Sequence, residues 1–309
     1  MTGLELYTAT ARRASGAVIS AYSSSFGLAS RLLPPQMRGD IETVYALVRV
    51  ADEIVDGPGA ESGLDPAGCR RVLDELEREV ERALESGFSA DLVVHAFAET
   101  ARRVGITTGQ TAPFFAAMRR DLDPVAFADE RELRTYVYGS AEVVGIMCVR
   151  CFLGGERLPD AEARRVARGA RALGSAFQIV NFLRDLGADS AGLGRAYLPG
   201  VDPAAPTDEA VGHVLDRLEG ELRIARSTVA LLPRGARPAV IAAHDIFAAL
   251  ARRIRATPAA VLPTRRISVP PAQKAAIVAR AALGAGLSRT RPDRQRSLRH
   301  RAADAEPAR

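Results

Sequence analysis

Apolar residues recur at helical spacing almost throughout this chain, and nowhere do β-branched residues alternate with polar ones as a half-buried strand requires. That pattern restricts the fold to helices packed on helices. Helices are expected over Leu4–Arg31, Arg38–Val55, Pro66–Ser86, Asp91–Val104, Gln110–Asp121, Glu130–Phe152, Asp160–Leu186, Asp208–Leu232, Pro238–Ala256 and Pro271–Leu283. Pro34-Pro35 and Gly57-Pro58-Gly59 punctuate the first two. No repeat or linker divides the set, and 309 residues suffice for one large core, so residues 1–287 read as a single all-α domain. Residues 288–309 are arginine-rich and nearly free of large apolar side chains. They cannot bury enough surface to offset ordering entropy and are expected to be disordered, either a bland tail or a membrane tether.

Two acidic patterns are embedded in these helices: Asp52 with Asp56, and Asp185 with Asp189. A spacing of four is just over one helical turn, about 6 Å of rise, so the carboxylates of each pair share a face. Each face extends beyond its acids. Tyr45, Arg49, Asp52 and Asp56 form one stripe, on a helix whose other positions are Val44, Leu47, Val48, Val50, Ala51, Ile54 and Val55. Gln178, Asn181, Asp185 and Asp189 form another among Phe177, Ile179, Val180, Phe182, Leu183 and Leu186. A helix that is apolar nearly all round is buried, and buried carboxylates are costly unless paired or bound to metal. Two such faces opposed make a cage of hard oxygen ligands suited to Mg²⁺, with Mn²⁺ as a substitute; Mg²⁺ completes its shell with water and substrate phosphates. The competing reading is a solvated stripe closed by an Arg49–Asp52 or Arg49–Glu53 ion pair.

Gly192-Leu193-Gly194 follows a helix instead of a strand, which rules out a dinucleotide fingerprint. It reads as a flexible turn that lets Arg195 and Tyr197 close over the site. A greasy helical bundle with acid pairs at one end suits ionisation of an allylic diphosphate: the leaving group is neutralised and the carbocation is kept from water.

Composition narrows the alternatives. The net charge is +5, yet arginines and acids are interspersed and aromatic residues make up only 5%, which argues against nucleic-acid binding. Lys274 is the sole lysine. Three cysteines make no disulfide framework, and Cys148 and Cys151 lie in an apolar stretch, where they read as buried structural thiols. The histidines His95, His213, His244 and His300 share no pattern. Charged residues interrupt every apolar run before it reaches the length of a membrane span, and Met1–Leu6 lacks a signal-peptide layout. A cytoplasmic protein is expected, with peripheral contact to the inner face of the membrane compatible with its basic charge. Nothing in the sequence sets an oligomeric state.

Five segments together resemble the squalene/phytoene synthases, most like bacterial phytoene synthases: Tyr22 to Phe26, Leu28 to Pro34, Tyr45 to Asp56, Tyr136 to Gly145, and Gln178 to Asp189 with Gly194 to Pro199. The resemblance implies an isoprenoid-synthase-type helical bundle around a central cavity. It implies Mg²⁺ held by Asp52, Asp56, Asp185 and Asp189. Ser23, Ser25, Arg49, Gln178 and Asn181 would contact diphosphate oxygens, and Phe26, Tyr45 and Tyr136 would line the cavity, with Tyr136 also stabilising charge or assisting proton movement. Arg195 and Tyr197 would lie on a mobile flap, and Arg266 would bind diphosphate. The implied reaction joins two geranylgeranyl diphosphates head to head, through prephytoene diphosphate, to phytoene by proton loss, in carotenoid biosynthesis, without NADPH. Squalene, dehydrosqualene or presqualene diphosphate synthesis from farnesyl diphosphate is the alternative, and a non-catalytic helical scaffold is a remote one.

Two departures from the family pattern bear on the site. Glu53 stands where the first motif usually has a second aspartate. Gly139 to Glu142 replaces a usual Arg-Val-Ala-Gly, which places an extra acid, Glu142, in an apolar helix. Met118 to Asp121 resembles a further family segment, in which Asp121 could equally be a helix-end charge.

Overall fold

The computed structural model describes residues 1–23, 25–123, 126–188 and 195–289, with side chains through 284. Its helices are α1 (Gly3–Tyr22), α2 (Ser25–Ser30), α3 (Pro35–Asp56), α4 (Pro58–Glu61), α5 (Pro66–Ser86), α6 (Leu92–Val104), α7 (Thr108–Arg120), α8 (Glu130–Val137), α9 (Val143–Leu153), α10 (Asp160–Arg184), α11 (Asp208–Thr228), α12 (Arg237–Arg255) and α13 (Pro271–Arg289). A π-helical turn, Tyr138–Glu142, joins α8 to α9. The described residues hold no strand; a single bridge pairs Ala126 with Ala196. The fold is all-α, as the periodicity predicts.

Local chemistry explains the boundaries. The side chains of Thr2, Asp65, Asp91, Thr107, Asp129 and Thr207 accept backbone N–H groups in the first turns of α1, α5, α6, α7, α8 and α11, satisfying donors that no helix can satisfy itself. Where the structure departs from the periodicity, a specific contact is responsible. Leu4–Arg31 is two helices, because Ser23 is extended (φ −119°, ψ 114°) and its hydroxyl accepts the Gly27 N–H; serines here compete with the helical ladder. Glu130–Phe152 is continuous but widened by the π turn. There Gly139 packs so closely on α7 that a Cβ would lie 2.4 Å from the Pro113 carbonyl oxygen. Asp160–Leu186 stops at Arg184, and Asp208–Leu232 gives way after Thr228 to a 3-10 turn, Val229–Leu231, before Pro233. Helix α13 runs to Arg289, two residues past the expected tail boundary; residues 290–309 lie outside the described residues.

One reading from the sequence is overturned. The continuous segment Glu130–Leu153 is long and apolar enough to cross a membrane by length and composition, with a mean hydropathy of 1.4 in its most apolar window. In the fold it packs against α3, α6, α7 and α10, and 44% of that window is buried within the protein, so it forms a wall of the core.

The arrangement of α3, α9 and α10 positions the site. Helix α9 runs antiparallel to α10 at very close range: a Cβ at Gly145 would meet the Ala170 carbonyl oxygen at 2.4 Å, and one at Gly174 would meet that of Ala141 at the same distance. Phe182, in the last turn of α10, stacks on Tyr197 at 4.2 Å. Tyr197 binds Asp121, whose carbonyl holds Arg195, and Arg195 pairs with Asp56 at the end of α3. The C-terminal turns of α3 and α10 therefore meet at one end of the bundle.

Candidate active site

A cavity of about 300 Å³ lies between α2, α3, α9, α10 and α12 and is lined almost wholly by apolar side chains. Along α10 it extends from Val166 to Asn181, about 22 Å at 1.5 Å per residue. Away from Asn181 its wall includes Phe152, Val166, Thr228, Val229 and Leu232. Toward the acidic end polar groups enter the wall: Tyr45 from α3, and Gln178 and Asn181 from α10. Phe26 and Tyr45 stack at 5.9 Å, and the Ser23 hydroxyl hydrogen-bonds the Tyr45 phenol, whose pKa burial nevertheless raises. Ser25 opens α2.

Asp52 and Asp56 follow Tyr45 and Arg49 on the same stripe of α3, as the spacing predicts. Burial, and then the neighbouring Asp56, push the Asp52 carboxyl up to about 8; Arg49 and Arg195 pull it the other way. The nearest guanidinium nitrogen of Arg49 is 4.0 Å from Asp52, because Arg49 pairs more closely with Glu53. The Arg49–Glu53 pair foreseen as the competing reading thus exists, but at the mouth of the cavity.

Arg195 and Tyr197 are 5% and 6% exposed, and both are pinned. Arg195 donates to Asp56 at 2.7 Å and to the backbone oxygens of Val55 and Asp121 at 3.2 and 2.8 Å. The expected flap residues are thus the structural hinge between the two ends, while the preceding residues 189–194, Asp189 among them, lie outside the described residues. Asp121 is the residue whose role the sequence understated. Its carboxylate accepts the phenol hydrogens of Tyr136 (2.7 Å) and Tyr197 (3.0 Å). Burial raises its pKa to about 6 against the opposing pull of Arg195. Tyr136 lies behind the cavity wall, packed with Phe127, Phe182 and Tyr197, instead of lining the cavity. Burial, and then Asp121, raise its phenol well above the ordinary value.

The second acidic pattern differs from expectation. Asp185 is not on the helix but caps it (φ −103°, ψ 13°). The cause lies downstream: a Cβ at Gly187 would sit 1.8 Å from the Pro263 carbonyl oxygen, so the chain there is pressed against residues far away in sequence. Arg184 and Arg266 both pair with Asp185, Arg266 at 2.7 Å. Lys274 from α13 is close enough to feel both arginines; burial, and then their charge, lower its pKa.

Among the described residues, the buried side-chain polar atoms without a hydrogen-bond partner are Arg49 Nε, Ser140 Oγ, Asn181 Oδ1 and Arg217 Nε. Ser140 and Asn181 belong to the cavity wall, and such atoms are costly unless a ligand or water meets them. Ser140 was missed; a serine inside an apolar helix is the signal that could have found it. Glu142 turns away from the cavity and pairs with Arg171 at 2.5 Å. Cys148 and Cys151 are free thiols whose pKa values burial raises, Cys148 to about 12; Cys151 is buried as expected, whereas Cys148 is half-buried and lines the cavity.

The donor set fits a divalent cation. Asp52 and Asp56 are adjacent carboxylates, and burial and mutual repulsion favour a proton on Asp52 in place of full ionisation; a cation can replace that proton. No three His, Cys, Asp or Glu side chains converge at ligating distance among the described residues. Mg²⁺ in particular is bound through one or two carboxylates and takes its other ligands from water and phosphate.

Comparison with known proteins agrees with this geometry. Residues 19–273 match the squalene/phytoene synthase family. Phytoene synthase 3, chloroplastic, of Zea mays is 34% identical over 214 residues, covering 67% of this chain and 48% of that protein. Phytoene synthase 1, chloroplastic, of Arabidopsis thaliana is 35% identical over 184 residues, covering 60% and 42%. The chain thus matches just under half the length of these relatives. Among solved structures, a dehydrosqualene synthase in complex with a ligand superposes with a TM-score of 0.74 at 22% identity, over 89% of this chain and 96% of that one. Squalene synthase HpnC from Alicyclobacillus acidocaldarius does so with a TM-score of 0.68 at 20% identity, over 81% and 95%. The structural matches establish the all-α isoprenoid synthase fold, and the match over residues 19–273 establishes the lineage: the chain belongs to the squalene/phytoene synthase family.

Proposed function

We propose that this protein is a Mg²⁺-dependent phytoene synthase that condenses two geranylgeranyl diphosphates head to head, through prephytoene diphosphate, and releases diphosphate. The observation that carries this reading is an apolar cavity lined by Val48 of α3 and Asn181 of α10, with Asp52 and Asp185 each four residues further along the chain from them. The names of the relatives of Zea mays and Arabidopsis thaliana favour the C20 substrate.

Asp52, Asp56, Asp185 and Asp189 would hold Mg²⁺. When bound, Mg²⁺ neutralises charge on the departing diphosphate. Arg49 and Arg266, with the Ser23 and Ser25 hydroxyls and the amides of Gln178 and Asn181, orient the diphosphate so that the tail runs down the cavity. The apolar walls exclude water from the carbocation. Tyr136 and Tyr197, fixed by Asp121, shape the wall behind the mouth. The reaction ends in proton loss, so NADPH is not required. The reading places the protein in the cytoplasm, with peripheral contact to the membrane that holds its lipophilic product.

A second reading has a specific observation in its favour: solved structures of similar fold include squalene and dehydrosqualene synthases, which would mean C15 substrates. One assay separates the two. Purified protein is incubated with Mg²⁺ and either geranylgeranyl or farnesyl diphosphate, with and without NADPH, and product mass is measured. A C40 hydrocarbon formed without NADPH is expected. A C30 product would transfer the assignment to the second reading, and no diphosphate release from either substrate would defeat both.

A further inference from the structure

We infer that Glu53 is a positioning residue that diverts Arg49 away from Asp52. This rests on the reading of the mouth as a cation and diphosphate site. Tyr22, Arg49 and Glu53 form a closed triangle at the rim. The Arg49 guanidinium pairs with Glu53 one turn further along α3. Its Cζ lies 4.6 Å from the centre of the Tyr22 ring, and the Tyr22 hydroxyl donates to the other Glu53 oxygen at 3.4 Å. Each member touches the other two, so the plane and direction of the guanidinium are set from two sides.

The alternative partner is close by. Asp52 lies three residues from Arg49 on the same helix, at the outer limit of an ion pair, 4.0 Å. Without Glu53, the guanidinium would have only Asp52 to pair with on this face. It would then neutralise the carboxylate that the cation needs. A carboxylate at this position lies one helical turn beyond Arg49, within reach of an i,i+4 ion pair. Glu53 therefore holds Arg49 against Tyr22 and off Asp52, and leaves the Asp52 carboxylate open.

The test is a double-mutant cycle read by Mg²⁺ titration, using thermal shift with and without inorganic diphosphate. E53Q is expected to raise the Mg²⁺ concentration for half-saturation about tenfold, the usual scale for losing a group that orients a ligand. E53D, which keeps the carboxylate, should recover most of that loss. In an R49Q background E53Q should change half-saturation by less than about twofold, because the residue it restrains is gone. An E53Q protein that responds to Mg²⁺ like wild type would overturn the inference, as would a tenfold effect that persists in R49Q, which would make Glu53 itself a ligand. Wild type showing no response to Mg²⁺ and diphosphate together would instead defeat the reading of the mouth, and this inference with it.

Discussion

The two ends that the sequence marks with the same pattern differ in how closely their aspartates are met by cations. At the end of α3, Asp52 and Asp56 crowd each other on adjacent turns, and Asp52 is pushed toward its protonated form. At the end of α10, Asp185 caps the helix and is ringed by Arg184 and Arg266, with Lys274 nearby. A carboxylate at a helix C-terminus is unfavourable against the helix dipole, and those cations offset it. Identical spacing thus yields one pole where Asp56 is paired with Arg195 but Asp52 has no cation closer than 4.0 Å among the described residues, and one where Asp185 is held by two guanidiniums. The first is suited to gaining a cation; the second presents cations to an anion.

The largest effect should come from removing the acids themselves. Asp52→Ala and Asp185→Ala are each expected to lower turnover by at least about 10²-fold, the scale of losing one electrostatic contact to a transition state, with unfolding midpoints near wild type. The comparison predicts a split in the Mg²⁺ response. Asp52→Ala should weaken it most, whereas Asp185→Ala should also raise KM for the diphosphate, because it frees Arg184 and Arg266 from their fixed geometry. Full activity in both variants would show that neither pole takes part.

Stability should separate the two ends in the same way. Arg195 is 5% exposed and joins Asp56, Val55 and Asp121. Arg195→Met leaves the Val55 and Asp121 carbonyls without this donor, and Asp56 is 40% exposed, so the expected cost is about 1–3 kcal/mol. Arg266 is 69% exposed in its pair with Asp185, and Arg266→Met should cost under about 1 kcal/mol. Urea denaturation of both variants decides it; equal losses would mean that Arg195 is not the hinge that the structure makes it.

Acid titration tests the first pole alone. In the metal-free folded protein the Asp52 and Asp121 carboxyls are raised to about 8 and about 6, against about 3.9 in an unfolded chain. Between those values the folded state holds more protons than the unfolded one. The associated stability is therefore complete below about pH 4 and is lost as pH rises through 6 and then 8. Mg²⁺ occupying the place of the proton reverses this. The gain in Tm from Mg²⁺ over chelator should grow between pH 5 and pH 8, and a gain that shrinks over that range would contradict the assignment.

These differences mark what could and could not be read from the chain. The helices and the Asp52–Asp56 stripe were legible because both depend on spacing within one helix. The break before Asp185 was not, since Leu186 continues the apolar period; it is imposed by Gly187 packing on Pro263. Asp121 was legible only as a charge at a helix end. Its partners are 15 residues away at Tyr136, 74 at Arg195 and 76 at Tyr197, and only the fold brings them together. The apolar segment Glu130–Leu153 misled in the other direction: its most apolar window holds at most two charged residues, too few to break its apolar character.

The smallest expected effect concerns the second pole and the one lysine among 42 basic residues. A chain that uses arginine everywhere else places its only ammonium beside Arg184 and Arg266. Two guanidiniums already occupy the space around Asp185 with planar, rigid forks. A compact ammonium can approach an anion between them where a third fork would collide. Lys274→Arg keeps the charge and changes only the shape, so it isolates that argument. It should raise KM for the diphosphate by about twofold to fivefold while leaving the Mg²⁺ response of the first pole unchanged. A Lys274→Arg protein with unaltered KM would mean that the second pole reads charge alone, and that the two ends differ in sign but not in the shape they require of a ligand.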